Sequence, residues 1–205
     1  MSFYSESIFP IANDLISRQF DHRRKQLLGN ISGKVLEIGF GTGRSTSCYP
    51  ASATEIVGLE PNPGMLNKAK AIIARNHSDR VRLVQGSVEQ LPFPDQEFNN
   101  IVTFFVLCSV PNPQASIQEI KRVMKPGGNL FFIEHTAQPV GTLTRKMQEL
   151  LQPLWGKMAC GCHLNRNTLP ELEKAGFKIR DLETLGYSGF PNFLGPILKG
   201  IGSLN

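Results

Sequence analysis

In Val35-Leu-Glu-Ile-Gly-Phe-Gly-Thr-Gly43, glycines alternate with other residues directly after a short apolar run. Gly39, Gly41 and Gly43 permit a sharp turn and a close approach to a ligand, where any Cβ would intrude. The spacing is G-x-G-x-G, followed by Arg44. It departs from the G-x-G-x-x-G cradle of a dinucleotide pyrophosphate. Glu37 sets a carboxylate ahead of the first glycine; it would repel pyrophosphate but suits an ammonium or sulfonium. A second carboxylate, Glu60, ends Ile56-Val-Gly-Leu-Glu60. A carboxylate there can accept both hydroxyls of a ribose, or complement the dipole of a following helix. Pro61 and Met65 offer apolar surface to an adenine face, and Met65 equally suits the core.

Groups able to move a proton are few. His135 follows an apolar run and carries a side chain that titrates near neutral pH. It serves either as a general base or as a hydrogen-bonded residue orienting a loop. His163 is the second candidate. Cys160-Gly-Cys-His163 suggests a metal, but a structural zinc needs four ligands and no second Cys/His pair is nearby. No metal site is expected, and Cys162 is read as a semi-buried thiol lining the pocket.

These residues need elements to hold them. Apolar spacing at Ile8, Ile11, Leu15, Ile16 and Phe20 predicts an N-terminal helix extended to Leu28 and stopped by Gly29. Strands are expected at 34–38, 55–59, 81–84, 98–105 and 129–134. A short helix after the glycine loop ends at Pro50. Pro63 opens a helix to Arg75, and Pro113 opens another, which Pro126-Gly-Gly128 breaks. Strands alternating with helices call for an α/β fold with a doubly wound, mostly parallel sheet. Glu37, Glu60, Ser87, Phe104 and His135 then fall at strand carboxyl ends and share one crevice near the switch point.

After His135 the pattern changes. Leu143, Met147, Leu150, Leu151, Leu154, Trp155 and Met158 fit an amphipathic helix, with a second helix at 168–174 and final strands at 177–185 and 197–203. The first of these helices is an insertion, 137–165, read as a lid near the acceptor. Leu151, Trp155, Cys162 and His163 would line it. The whole chain, 1–205, is read as one domain with an N-terminal helical segment at 1–30.

At 205 residues the chain can bury a full core. Four scattered cysteines and a polar N-terminus without a signal peptide point to a reducing, cytoplasmic compartment. No apolar stretch is long enough to span a bilayer. His22-Arg-Arg-Lys25 reads as a solvated helix face within a modest net charge of +5. No aromatic-interleaved basic patch supports nucleic acid. Peripheral membrane contact is left open, as is oligomeric state.

The run from Val35 to Gly43 resembles motif I of the class I S-adenosylmethionine (SAM) methyltransferases. That resemblance covers about 33–135 and implies a Rossmann-like class I fold with a seven-stranded sheet. It implies SAM as cofactor, held by Glu37, Gly39, Phe40, Gly41, Gly43, Glu60, Pro61, Met65, Ser87, Val88 and Phe104. Gly86-Ser-Val-Glu89 resembles the third-strand motif, where an acidic residue usually meets the adenine amino group. Ser87 stands there instead, so the hydroxyl, Glu89 or the backbone of Val88 would read the base. Asn100 likewise replaces an Asp.

Val106-Leu-Cys-Ser-Val110, Phe132-Ile-Glu-His135, Gln152-Pro-Leu-Trp155 and Gly161-Cys-His-Leu-Asn-Arg166 resemble segments of the methyltransferase-like thiol methyltransferases associated with endoplasmic reticulum and lipid droplets. Those relatives carry an N-terminal hydrophobic anchor that is not seen in this sequence. The resemblance implies methyl transfer to a small or lipophilic acceptor such as a thiol, with His135 as candidate base. Two alternatives lie within the class: a quinone-type C- or O-methyltransferase, and a phospholipid N-methyltransferase. A non-catalytic SAM-binding regulatory protein is the alternative from another class.

Overall fold

The structure is a computed structural model that describes residues 4–76, 78–186 and 191–204. Its strands are β1 (Gly33–Ile38), β2 (Ala53–Glu60), β3 (Val81–Gln85), β4 (Phe98–Phe104), β5 (Met124–His135), β6 (Lys178–Leu185) and β7 (Ile197–Ser203). They form one seven-stranded sheet in the order β3-β2-β1-β4-β5-β7-β6. Among the described strands, β7 runs antiparallel to both of its neighbours, β5 and β6. Val35, Leu36, Ile101, Val102 and Ile133 are fully buried, as expected of strands covered on both faces. The order reverses at β1, whose neighbours are β2 and β4. The connections leaving β1 and β4 therefore diverge, and a crevice opens at the carboxyl ends of these strands.

Among the described residues six α-helices flank the sheet: α1 (Phe9–Ser17), α2 (Asp21–Leu28), α3 (Pro63–Arg75), α4 (Pro113–Val123), α5 (Leu143–Met158) and α6 (Thr168–Lys174). Asn62, Asn112 and Thr142 cap α3, α4 and α5 by accepting the amide hydrogen of the third residue onward. Among the described residues no helix is long and apolar enough to cross a membrane.

Several expectations are corrected. The N-terminal helix is not continuous. A π-helical turn at Tyr4–Ile8 and a 3-10 turn at Arg18–Phe20 flank α1 and separate it from α2. Polar bonding accompanies the break: the Arg24 guanidinium donates to the Ser17 carbonyl at 3.1 Å and to Asp21 at 2.9 Å. The helix after the glycine loop is a single 3-10 turn, Arg44–Cys48. Pro126-Gly-Gly128 does not precede β5 but lies inside it. Phe98 pairs with Met124 and Asn100 with Asn129, so the intervening residues bulge out. A Cβ on Gly128 would lie 2.7 Å from the Asn99 carbonyl, which is why the bulge needs glycine.

The largest correction concerns α5. Leu143, Leu150, Leu154 and Met158 are 75%, 79%, 60% and 53% exposed, whereas Gln148 is fully buried. Leu151 and Trp155 are half-buried. The inward face thus follows Gln148, Leu151, Gln152 and Trp155. Of the expected apolar stripe, its lower edge alone turns toward the protein.

Candidate active site

At the end of β1 the chain adopts left-handed conformations at Gly39, Gly41 and Gly43, with φ of 68°, 59° and 85°. A Cβ on Gly39 would lie 2.4 Å from the Val106 side chain, so the loop after β4 closes on the glycine turn. Gly41 is less crowded. A Cβ there would meet only the Gly39 carbonyl and the Met65 sulfur, both at 3.8 Å.

Glu60, at the end of β2, faces this turn. One carboxylate oxygen accepts the Gly41 amide hydrogen and the other that of Asn62, each at 2.9 Å. The side chain is buried, and burial raises its pKa against these two hydrogen bonds. A carboxylate offers about four acceptor positions, so two remain for ligand hydroxyls.

Glu37 is turned elsewhere. Ser45 donates to its oxygens at 2.6 and 2.5 Å, and the Tyr49 hydroxyl donates at 2.6 Å. Burial pushes its pKa up to about 7, opposed by those hydroxyls and by Arg24. Phe40 is buried against β2, where it fills the space over Gly58; a Cβ on Gly58 would lie 2.6 Å from its ring. Phe104 is also buried, with the Arg24 guanidinium 5.4 Å from its ring centroid. Pro61 is exposed and Met65 buried. Ser87 is exposed and hydrogen-bonded to the Glu89 carboxylate, while Val88 beside it is buried.

The N-terminal segment lies across this crevice. The Asn62 side chain donates to the Ser5 carbonyl at 2.7 Å, and a Cβ on Gly64 would fall 2.1 Å from the Glu6 carbonyl. Thr42 donates to Asp14 at 2.5 Å, and Arg44 pairs with Asp14 and Asp21 at 3.3 and 2.5 Å. The Tyr4 hydroxyl donates to the Met158 carbonyl at 2.6 Å, joining this cap to α5.

At the carboxyl ends of β4 and β5 a second cluster gathers. The buried Glu134 carboxylate accepts the amide hydrogens of Val106 and Cys108 at 3.1 and 3.2 Å. His135 is 1% exposed. Its Nε2 meets the Leu194 carbonyl, which can only accept, so this nitrogen carries the hydrogen. Nδ1 faces the Cys162 sulfur at 3.5 Å. Both ring nitrogens are therefore engaged inside the protein, which favours orientation over proton abstraction. His163 is half-buried, and burial together with Arg166 lowers its pKa. Its backbone amide donates to the Cys108 carbonyl at 2.8 Å.

Glutamines not singled out in the sequence hold α5 here. Gln148 donates to the carbonyls of Phe193 and Gly195 at 3.1 and 3.0 Å and accepts from the Gln138 amide at 2.8 Å. Gln152 donates to the Cys162 carbonyl at 3.1 Å and accepts from the Leu164 amide at 2.6 Å. Their spacing of four residues on one helix face was the available signal. Arg166 adds hydrogen bonds to the carbonyls of Leu107 and Val110 at 2.8 and 2.7 Å.

A surface groove of about 840 Å³ lies at the opposite ends of the strands, lined by Asn99, Lys125, Asn129, Arg180 and Lys199 among others. None of the anticipated site residues lines it. Among the described residues no cluster of three or more His, Cys, Asp or Glu side chains is arranged to hold a metal ion.

Residues 36–132 match the methyltransferase domain family. The chain is 36% identical over 151 residues to thiol S-methyltransferase TMT1B of Rattus norvegicus, spanning 73% of this chain and 62% of that protein. It is 34% identical over 177 residues to the Homo sapiens protein of the same name, spanning 82% and 72%. A SAM-dependent methyltransferase structure from Thermotoga maritima superposes with a TM-score of 0.68 at 21% identity, covering 98% of this chain and 100% of that one. A glycine turn closed by a strand-end carboxylate, on this strand order and with this similarity, places the chain in the class I SAM-dependent methyltransferase family.

Proposed function

We propose that the protein transfers the methyl group of SAM to a small or lipophilic thiol, within a single domain whose segments 1–30 and 137–165 flank the crevice. The observation that carries the cofactor part is Glu60: a buried carboxylate with spare acceptor capacity, bonded to the backbone of the glycine turn. SAM supplies an activated methyl group on sulfonium. Glu60 would hold the ribose hydroxyls and Gly39, Gly41 and Gly43 would admit the methionine portion. Met65, Pro61, Ser87 and Val88 would surround the adenine. Glu37 would act from beneath, keeping the turn in place through Ser45 and Tyr49, and Phe40 and Phe104 would form its floor.

In-line displacement at a sulfonium depends chiefly on positioning. A thiol ionises near about 8.5 and needs little help to become the nucleophile. A buried, internally engaged His135 fits this economy as a positioning residue. Leu151, Trp155, Cys162 and His163 stand on the segment that would shape the acceptor pocket. The thiol reading is supported by the similarity to the rat and human thiol S-methyltransferases. Four free thiols are consistent with a cytoplasmic setting. The apolar residues that α1 and α5 leave at the surface support peripheral contact with lipid.

Titration calorimetry with SAM and S-adenosylhomocysteine tests the cofactor part. Both should bind, NAD should not, and Gly41→Val should abolish binding. Unaltered binding in that variant would remove the foundation of the reading.

A further inference from the structure

Cys108 and Cys162 lie 54 residues apart in sequence but their sulfurs are 3.8 Å apart. The backbones around them are already joined. The His163 amide donates to the Cys108 carbonyl, and Arg166 bonds to the carbonyls on either side. Cys108 is fully buried, whereas Cys162 is half-buried at the base of α5. From these positions we propose that Cys108 and Cys162 form a reversible disulfide that locks the segment after α5 onto the loop after β4. A disulfide needs an S–S length of about 2.05 Å, so the sulfurs must close by less than about 2 Å.

The surroundings assign the two thiols different roles. The contact with Cys108 lowers the Cys162 pKa, and His135 acts in the same direction against burial. The Trp155 indole N–H also favours the Cys162 thiolate. The Cys108 thiol is pushed up by the contact with Cys162 and by burial. Cys162 is thus the attacking sulfur and Cys108 the resolving one.

The oxidant is a low-molecular-weight disulfide. The Cys162 thiolate attacks one of its sulfurs, forming a mixed disulfide and releasing one small thiol. Cys108 then loses its proton to solvent and displaces the second small thiol. Two electrons pass from the protein to the small disulfide, two protein thiols become one disulfide, and two small thiols leave. Its regulatory meaning rests on the proposed methyl transfer to thiols: the enzyme would be locked when its acceptor class is oxidised. The linkage itself does not rest on that reading.

The full chain is equilibrated with oxidised glutathione, alkylated and digested without reduction, and its peptides are weighed. The expected result is one joined pair, Cys108 with Cys162, with free thiols falling from four to two. Dithiothreitol should restore all four. Cys108→Ala should instead accumulate glutathione on Cys162, and Cys108→Val provides the same test with the core refilled. Four unreacted thiols, a Cys160–Cys162 link, or glutathione persisting on Cys162 with Cys108 free in the unmutated protein would each overturn the proposal. Mass alone is read, so failure of methyl transfer leaves the outcome unaffected.

Discussion

Glu60 accepts the amide hydrogen of Gly41 at 2.9 Å, across the gap between the ends of β2 and β1. This bond couples the conformation of the glycine turn to a carboxylate placed to receive ligand hydroxyls. Glu60→Ala should weaken SAM binding by about 1.5–3 kcal/mol, the range for hydrogen bonds to charged groups. Glu60→Gln should lose less, because an amide still accepts at one atom. Calorimetric dissociation constants check this. Equal affinities in all three proteins would leave Glu60 with a purely structural role.

The cap over the turn is latched by Asp14, which accepts from Thr42 at 2.5 Å and pairs with Arg44. The latch is partly exposed, so its contribution is small, about 1 kcal/mol. Asp14→Ala should speed SAM dissociation by up to about fivefold while global stability changes little. Stopped-flow release and hydrogen exchange across residues 4–17 measure the two effects. Unchanged exchange in that segment would show that the cap is held by other contacts.

Glu37 should make stability depend on pH. Its pKa rises from an ordinary 4.5 to about 7 on folding because burial penalises its charge. The folded state therefore binds the proton more tightly than the unfolded state. The stabilisation is complete below about 4.5 and is lost as pH rises through about 7, an interval worth about 3 kcal/mol. Glu60 and Glu134 are shifted in the same direction and add to the slope. Denaturant unfolding between pH 5 and pH 8 should show a shallower decline for Glu37→Gln. An identical slope would mean that Glu37 titrates alike in both states.

Much of this site is legible in the sequence, because glycine spacing and strand-end carboxylates act over short distances. Gly39, Gly41, Gly43 and Glu60 stand together as their positions imply. Where the chain must choose between two satisfactory faces, local pattern misleads. In α5 the apolar stripe predicts that Leu150 and Leu154 turn inward, yet Gln148 is buried because distant carbonyls at Phe193 and Gly195 need its donors. In β5, glycines read as a break serve as a bulge, since Asn99 approaches too closely for a side chain. The role of His135 depends on Leu194 and Cys162, both remote in sequence.

That choice of face predicts unequal costs along α5. Gln148→Leu would strand the Phe193 carbonyl and the Gln138 amide and leave the Gly195 carbonyl to the Gln138 side chain alone, costing about 2 kcal/mol. Leu150→Gln, at an exposed apolar position, should change stability by about 0.5 kcal/mol or less. Urea unfolding of both variants decides between the observed face and the apolar one. If Leu150→Gln is the more damaging, α5 packs through its leucines instead.

The acceptor reading predicts a pH profile. If the thiol ionises without a dedicated base, turnover under acceptor-limited conditions should rise with pH and level off near the acceptor's own pKa, about 8.5 for a simple thiol. Acceptors with more acidic thiols should shift that profile to lower pH by the same interval as their pKa. His135→Gln retains one donor for the Leu194 carbonyl but cannot titrate. It should therefore change the rate without changing the position of the profile. A profile fixed near neutral pH whatever the acceptor, and abolished in His135→Gln or His163→Gln, would instead identify that histidine as a general base. A panel of an aliphatic thiol, a phenol, a quinone precursor and an amine completes the test. Transfer to the thiol alone supports the reading. Transfer to any of the others without the thiol would reject the acceptor assignment, while SAM binding through Glu60 and the glycine turn would still stand on its own measurement.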